Sequence, residues 1–177
     1  MSKQGNNDNT SGKIGTRMTL SAWIIALAML TIIFSGHLEK QRNPNQTVNS
    51  SINSNETEVT LRQNRYGHYI ATAEFNHIPV DVIVDTGATN VSVPLTIARQ
   101  LGLKQGTKMD VSTANGTISV YSTRIDSIKL GDIIVHNVRA GINPHMDDDV
   151  VLLGMSFLDQ LEFSHSNNEL VLKQIYK

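Results

Sequence analysis

Residues 18–36, MTLSAWIIALAMLTIIFSG, run for 19 positions without a charged side chain. A single helix needs roughly 17–25 residues to cross the hydrocarbon of a bilayer. Lys13 and Arg17 stand before the run, Lys40 and Arg42 after it, and no amphipathic segment flanks it. A buried helix in a soluble domain is therefore disfavoured, and residues 18–36 are expected to be a transmembrane helix. The sequence IIFSGHLEK offers no small residues at the spacing of a signal-peptidase site, so the anchor is expected to stay attached. Lys3, Lys13 and Arg17 outnumber Asp8 in the short N-terminal tail, a mild positive-inside bias. The expectation is a single-pass membrane protein with a cytoplasmic N-terminus and the remainder outside the cytoplasm.

Both flanks of the apolar run are polar. Residues 1–17 are rich in Asn, Ser and Gly and read as a disordered tail. Residues 37–57 are Asn, Gln, Ser and Thr with few apolar side chains, which reads as a polar flexible linker open to self-processing. Three Asn-x-Ser/Thr sequons, at Asn45, Asn49 and Asn55, are expected by chance in such a composition.

From residue 58 to 177 the texture becomes that of short strands. EVTLRQ places Val59 and Leu61 on one face, and HYIATAEF alternates through Tyr69, Ala71, Ala73 and Phe75. Asn76-His77 and Pro79 break the chain before VDVIVD. VPLTIARQLG has helical spacing, Pro94 near its first turn and Gly102 past its end. Asn115-Gly116 between two β-prone runs predicts a hairpin. Gly131-Asp132 separates SIKL from IIVHNVRAGI; VVLLG reads as a buried strand, MSFLDQL as one or two helical turns and ELVLKQIY as a closing strand. Aromatic residues make up only 5% of the chain, so the core must rest on Val, Ile and Leu, which suits strands. The predicted fold is a single all-β domain, barrel or sandwich.

Composition also bounds the chemistry. Cysteine is absent, which excludes a disulfide framework, a Cys-ligated zinc and a thiol nucleophile. A net charge of −1 with scattered Lys and Arg gives no nucleic-acid footprint. The six histidines lack HExxH or other ligand spacing, so no metal and no cofactor are expected. Asp147, Asp148 and Asp149 lack the Gly and Glu spacing of a calcium loop and read as a solvated turn. Ser156 in GMSFL has no glycine on its far side, so a nucleophile elbow is not supported.

One strand ends unusually. In VIVDTGATN the β-branched run stops on Asp85, followed by Thr86 and Gly87. An aspartate commonly closes a strand by bonding backbone N–H groups of the turn. The same geometry also suits carboxylate hydrolysis, in which one ionised and one protonated carboxyl share a water. Two like charges about 3 Å apart cannot both ionise, which separates the two roles. Gly87 permits close approach of the backbone, Thr86 offers a hydroxyl across the junction, and Ala88 completes the loop.

These residues resemble the retropepsin-like aspartic proteases, and among them the bacterial membrane-anchored single-domain group, which implies a bacterial inner-membrane protein with its protease domain in the periplasm. The resemblance covers residues 58–177. It rests on Val84-Asp85-Thr86-Gly87-Ala88-Thr89, on Gly67-His68, on Thr113-Ala114-Asn115-Gly116 and on LLGMSFL from Leu152. It implies a closed β-barrel with one or two short helices, Asp85 as the catalytic acid and Thr113, Ala114, Asn115 and Gly116 as a substrate-binding flap. Leu152, Leu153 and Gly154 would pack beneath the catalytic loop. Only one Asp-Thr-Gly exists in the chain, so the dyad would be completed by a second copy, a homodimer with the site on its two-fold axis. Viral members carry an Asp and an Arg that pair beside the loop; here those positions are Thr89 and Met155. The implied activity is that of an endopeptidase on peptide or protein substrates. The alternative is a non-catalytic binding or dimerisation module on the same fold at the membrane.

Overall fold

The uncharged apolar run of residues 18–36 lies within the first element. The computed structural model describes residues 8–113 and 116–176, without the side chains of 8–16. Helix α1 is Asp8–Arg42, and within it Arg17–Arg42 has the length and hydropathy to cross a membrane. Trp23, Ile32 and Ile33 are 65%, 71% and 71% exposed, an apolar surface on every side of the helix. Residues 8–17, expected to be disordered, continue this helix, because propagation from an established helix adds one bond for each residue fixed; residues 1–7 lie outside the described residues.

Residues Lys40–Lys177 form a second unit, built among the described residues from eleven strands: β1 (Asn49–Ile52), β2 (Glu56–Arg62), β3 (Ile70–Phe75), β4 (Ile78–Val84), β5 (Val91–Pro94), β6 (Lys108–Thr113), β7 (Gly116–Leu130), β8 (Ile133–Asn143), β9 (Val151–Leu153), β10 (Glu162–Ser166) and β11 (Glu169–Ile175). Two short helices, α2 (Leu95–Gln100) and α3 (Met155–Leu158), complete it. Seven strands lie in the order β3-β4-β9-β5-β8-β7-β6. Glu74 and Phe75 of β3 also pair with Lys129 and Ile128 of β7, closing the sheet on itself. A smaller antiparallel sheet runs β1-β2-β11-β10. Val59, Leu61, Leu170 and Leu172 of that sheet join Phe75, Ile125, Ile128, Leu153 and Phe157 in one continuous core. The β3–β7 pairing covers one edge of the large sheet and leaves β6 at the other, and the all-β retropepsin-like fold expected from the sequence is what forms.

The turns follow residue chemistry. Asn76 and His77 (φ 49° and 70°) form the two-residue turn between β3 and β4. Asn167 and Asn168 (φ 51° and 62°) do the same between β10 and β11. Asn visits the left-handed region more readily than most residues, and consecutive positive φ values match the twist of paired strands.

The polar stretch 37–57 departs from the flexible linker expected of it. Its first residues belong to α1, and β1 pairs with β2 in the register Asn49↔Thr60 to Ile52↔Thr57. Asn43 and Asn45 are 1% and 4% exposed. The Asn45 amide donates to the carbonyls of Arg62 (2.9 Å) and Ile70 (2.6 Å), and its Oδ1 accepts from the Arg62 N–H (2.7 Å). Asn43 donates to Thr72 Oγ1 and Asp81 Oδ1, both at 3.0 Å. Low hydrophobicity does not prevent burial when each polar group finds a partner. The same burial closes the Asn45 sequon to a glycan.

Candidate active site

Strand β4 delivers Asp85 out of the core. Val82 is fully buried, Val84 partly, and Asp85 is the first residue beyond the ladder. Two main-chain bonds aim it: Val84 N–H donates to Tyr69 O (3.0 Å) and Asp85 N–H to Leu153 O (3.2 Å). The chain then turns tightly, Ala88 N–H reaching back to Asp85 O at 3.2 Å. Inside that turn the Asp85 carboxylate accepts the Gly87 N–H at 2.9 Å. A Cβ on Gly87 would stand 3.2 Å from the same carboxylate oxygen, so glycine keeps the acid uncrowded. Thr86 and Gly87 are exposed, Asp85 and Ala88 half-buried. The loop thus presents one oriented carboxylate at an open surface.

Below the loop, β9 and α3 act as its bed. Val82–Val84 pair in parallel with Val151–Leu153, and Leu153 is fully buried while Leu152 is partly so. Gly154 sits where no side chain fits: a Cβ there would lie 2.5 Å from the carbonyl oxygens of both Ala88 and Asn90. That approach lets Met155 N–H donate to Ala88 O (2.8 Å) and Ser156 N–H to Thr89 O (3.0 Å). The Ser156 hydroxyl accepts from Val91 N–H (3.0 Å) and donates to Arg139 O (2.7 Å). Where viral members hold the loop with an ion pair, this chain uses two main-chain bonds and a serine bridging α3, β5 and β8. In the sequence Ser156 stands out only as a nucleophile to be rejected; no local pattern marks a serine whose partners lie 17 and 65 residues away.

The hairpin of β6 and β7 is paired from Lys108↔Tyr121 to Thr113↔Gly116, and Thr113 Oγ1 donates to Gly116 O at 2.8 Å. Gly116 has φ 115°, a value L side chains rarely adopt. Ala114 and Asn115, expected at the tip of a flap, lie outside the described residues. Strand β6 ends the order of the large sheet, so its outer edge has no strand partner among the described residues. The hairpin arm passes beyond Tyr121↔Ile142 and the chain leaves β8 at Asn143, so the arm and residues 144–150 depart from the same end of the barrel.

Tyr69, whose carbonyl fixes Val84, has its hydroxyl buried without a hydrogen-bond partner among the described residues. Burial holds its pKa above the usual phenol value, and its ring meets His165 edge-on at 5.8 Å. Among the described residues no group of three or more His, Asp and Glu side chains comes together as a metal-ligand set.

The family described as "gag-polyprotein putative aspartyl protease" matches residues 71–160, which include the Asp85 loop, the hairpin and α3. The fold is similar to a retropepsin-like aspartic protease from Rickettsia conorii, with a TM-score of 0.57 and 26% identity over 72% of this chain and 96% of that one. An uncharacterized protein from the cobV 5′ region of a Sinorhizobium species is 33% identical over 108 residues. That match takes in 59% of this chain but 46% of the relative, so the chain spans about half of that protein's length.

Proposed function

This chain belongs to the gag-polyprotein aspartyl protease family and has its retropepsin-like fold, and we propose from that premise that it is an endopeptidase whose catalytic pair is two copies of Asp85. The observation that carries the proposal is the Asp85 carboxylate, fixed by the Gly87 N–H at 2.9 Å and left open to the surface. One chain supplies one such loop, so a homodimer brings the two acids together about a two-fold axis. Thr86, exposed beside the acid, would brace the loop of the second copy.

In the proposed mechanism one Asp85 is ionised and its twin protonated. The ionised carboxylate takes a proton from the shared water as its oxygen bonds to the peptide carbonyl carbon. The protonated carboxyl gives its proton to the carbonyl oxygen, forming a neutral gem-diol. Return of a proton to the amide nitrogen then releases an amine and a carboxylic acid. The outer edge of β6 favours a substrate bound as an added strand, under the cover of Thr113, Ala114, Asn115 and Gly116.

Asp85→Asn tests this directly. With full-length protein in neutral detergent, cleavage of an unfolded protein substrate should fall by at least about 10²-fold with the melting temperature unchanged. Turnover surviving in Asp85→Asn would refute the assignment, and a folded wild type that dimerises yet never cleaves would indicate a binding module.

The N-terminal helix is proposed to anchor this domain in the inner membrane, with the tail in the cytoplasm. The absence of cysteine makes the topology easy to read. In intact cells a membrane-impermeant maleimide should label Asp132→Cys and spare Ser2→Cys; the reverse pattern would invert the proposed orientation.

A further inference from the structure

A groove of about 780 Å³ lies between the segment after α2 and the outer face of β7 and β8. Three cations line it, Lys104, Arg124 and Arg139, against one acid, Asp126. Arg124 and Arg139 are direct cross-strand partners, and like charges so placed oppose folding. No ion pair among the described residues offsets them.

The arrangement is built rather than incidental. Arg124 Nη1 donates to both the carbonyl and the side-chain oxygen of Asn137, at 3.2 and 2.9 Å. Asn137 holds φ 60° inside a long strand, a left-handed conformation that Asn adopts more readily than most residues. Thr123 Oγ1 donates to Lys104 O at 2.9 Å, fixing the facing wall. The guanidinium of Arg124 is therefore fixed before any ligand arrives, on the strand position directly across from Arg139.

We propose that this groove docks an acidic polypeptide segment carrying apolar side chains. Half-buried Leu103 and exposed Met109 also line it, so apolar side chains share the groove with the positive charge. A nucleic acid would find no aromatic side chain among the described lining residues on which to stack its bases. Asn90, five residues past Asp85, borders the groove, and the Arg139 carbonyl is tied through Ser156 to α3 under the catalytic loop. That the docked segment is the flank of a substrate rests on the protease reading; that an acidic segment binds here does not.

The test is fluorescence anisotropy with a labelled peptide of alternating Glu and Leu, titrated with full-length Asp85→Asn protein in neutral detergent. Binding should be about tenfold tighter than for the same peptide with Lys replacing Glu, and should weaken with added salt. Arg139→Glu and Lys104→Glu should each weaken it about tenfold, while Arg65→Glu, outside the groove, should leave it unchanged. Arg139 and Lys104 are exposed, and unchanged melting temperatures would show that the variants fold. Equal affinity in both groove variants would overturn the proposal. So would displacement of the peptide by an equal concentration of inorganic phosphate, or binding to phosphatidylglycerol nanodiscs that both groove variants abolish while peptide binding persists. Because the protein is already Asp85→Asn, these outcomes are independent of whether the wild type cleaves anything.

Discussion

Gly154→Ala is the sharpest probe of how the acid-bearing loop is held. The added methyl would lie 2.5 Å from two carbonyl oxygens and 2.8 Å from the Asn90 carbonyl carbon, all of them backbone. An ordinary contact needs at least 3.4 Å, so the loop or α3 must move by close to 1 Å. That movement breaks the bonds from Met155 N–H to Ala88 O and from Ser156 N–H to Thr89 O, at 2.8 and 3.0 Å. Each bond is worth about 1 kcal/mol, and more where a buried group is left unpaired. The resulting loss is about 2–4 kcal/mol, or roughly 6–20 °C in melting temperature for a domain of this size. Gly141→Ala is the control, since its methyl would meet only Val120 side-chain carbons, the nearer at 3.4 Å. Thermal unfolding of both variants by circular dichroism, with peptide cleavage measured in parallel, checks the reasoning. Activity should fall with Gly154→Ala even well below its melting temperature, because a 1 Å misplacement of a catalytic group costs about 10²-fold. A Gly154→Ala protein that melts and cleaves like wild type would refute the account of the loop bed.

Asn45→Ala strips three hydrogen bonds that satisfy backbone groups of Arg62 and Ile70; urea denaturation should show a loss of about 2–4 kcal/mol, and no change would mean the segment is not docked. The Lys173 ammonium is held above the usual lysine value, first by its hydrogen bond to Glu58 (2.8 Å) and then by the charge of Glu56 (3.5 Å). A raised cation pKa contributes stability in full below the unfolded value of 10.5 and loses it as pH rises through the higher folded value. Lys173→Met should therefore flatten the pH dependence of stability above about 10.5, modestly and less so in high salt, because the pair is partly exposed; an unaltered alkaline slope would contradict this.

Where local patterning governs, residues and structure coincide. Alternation in IATAEF and the apolar run VLL become β3 and β9, because side-chain facing in a strand depends only on parity. The two β-prone runs either side of the predicted hairpin turn pair as β6 and β7, from Lys108↔Tyr121 to Thr113↔Gly116. Strands β1 and β10, NSSI and EFSHS, escape such reading: each has a single large apolar residue, and each sits at an edge of the small sheet, recruited by partners rather than by its own pattern.

The chain's own order of residues determined the apolar helix, the barrel's strand periods and the acid that ends β4, since each depends on neighbours a few positions apart. Only the tertiary structure decided that Asn45 is buried, that Ser156 ties three elements under the loop, and that Arg124 and Arg139 face each other across a ladder. Polar and charged side chains take their roles from whichever distant backbone groups and charges folding brings within about 3 Å, and no local period encodes that distance.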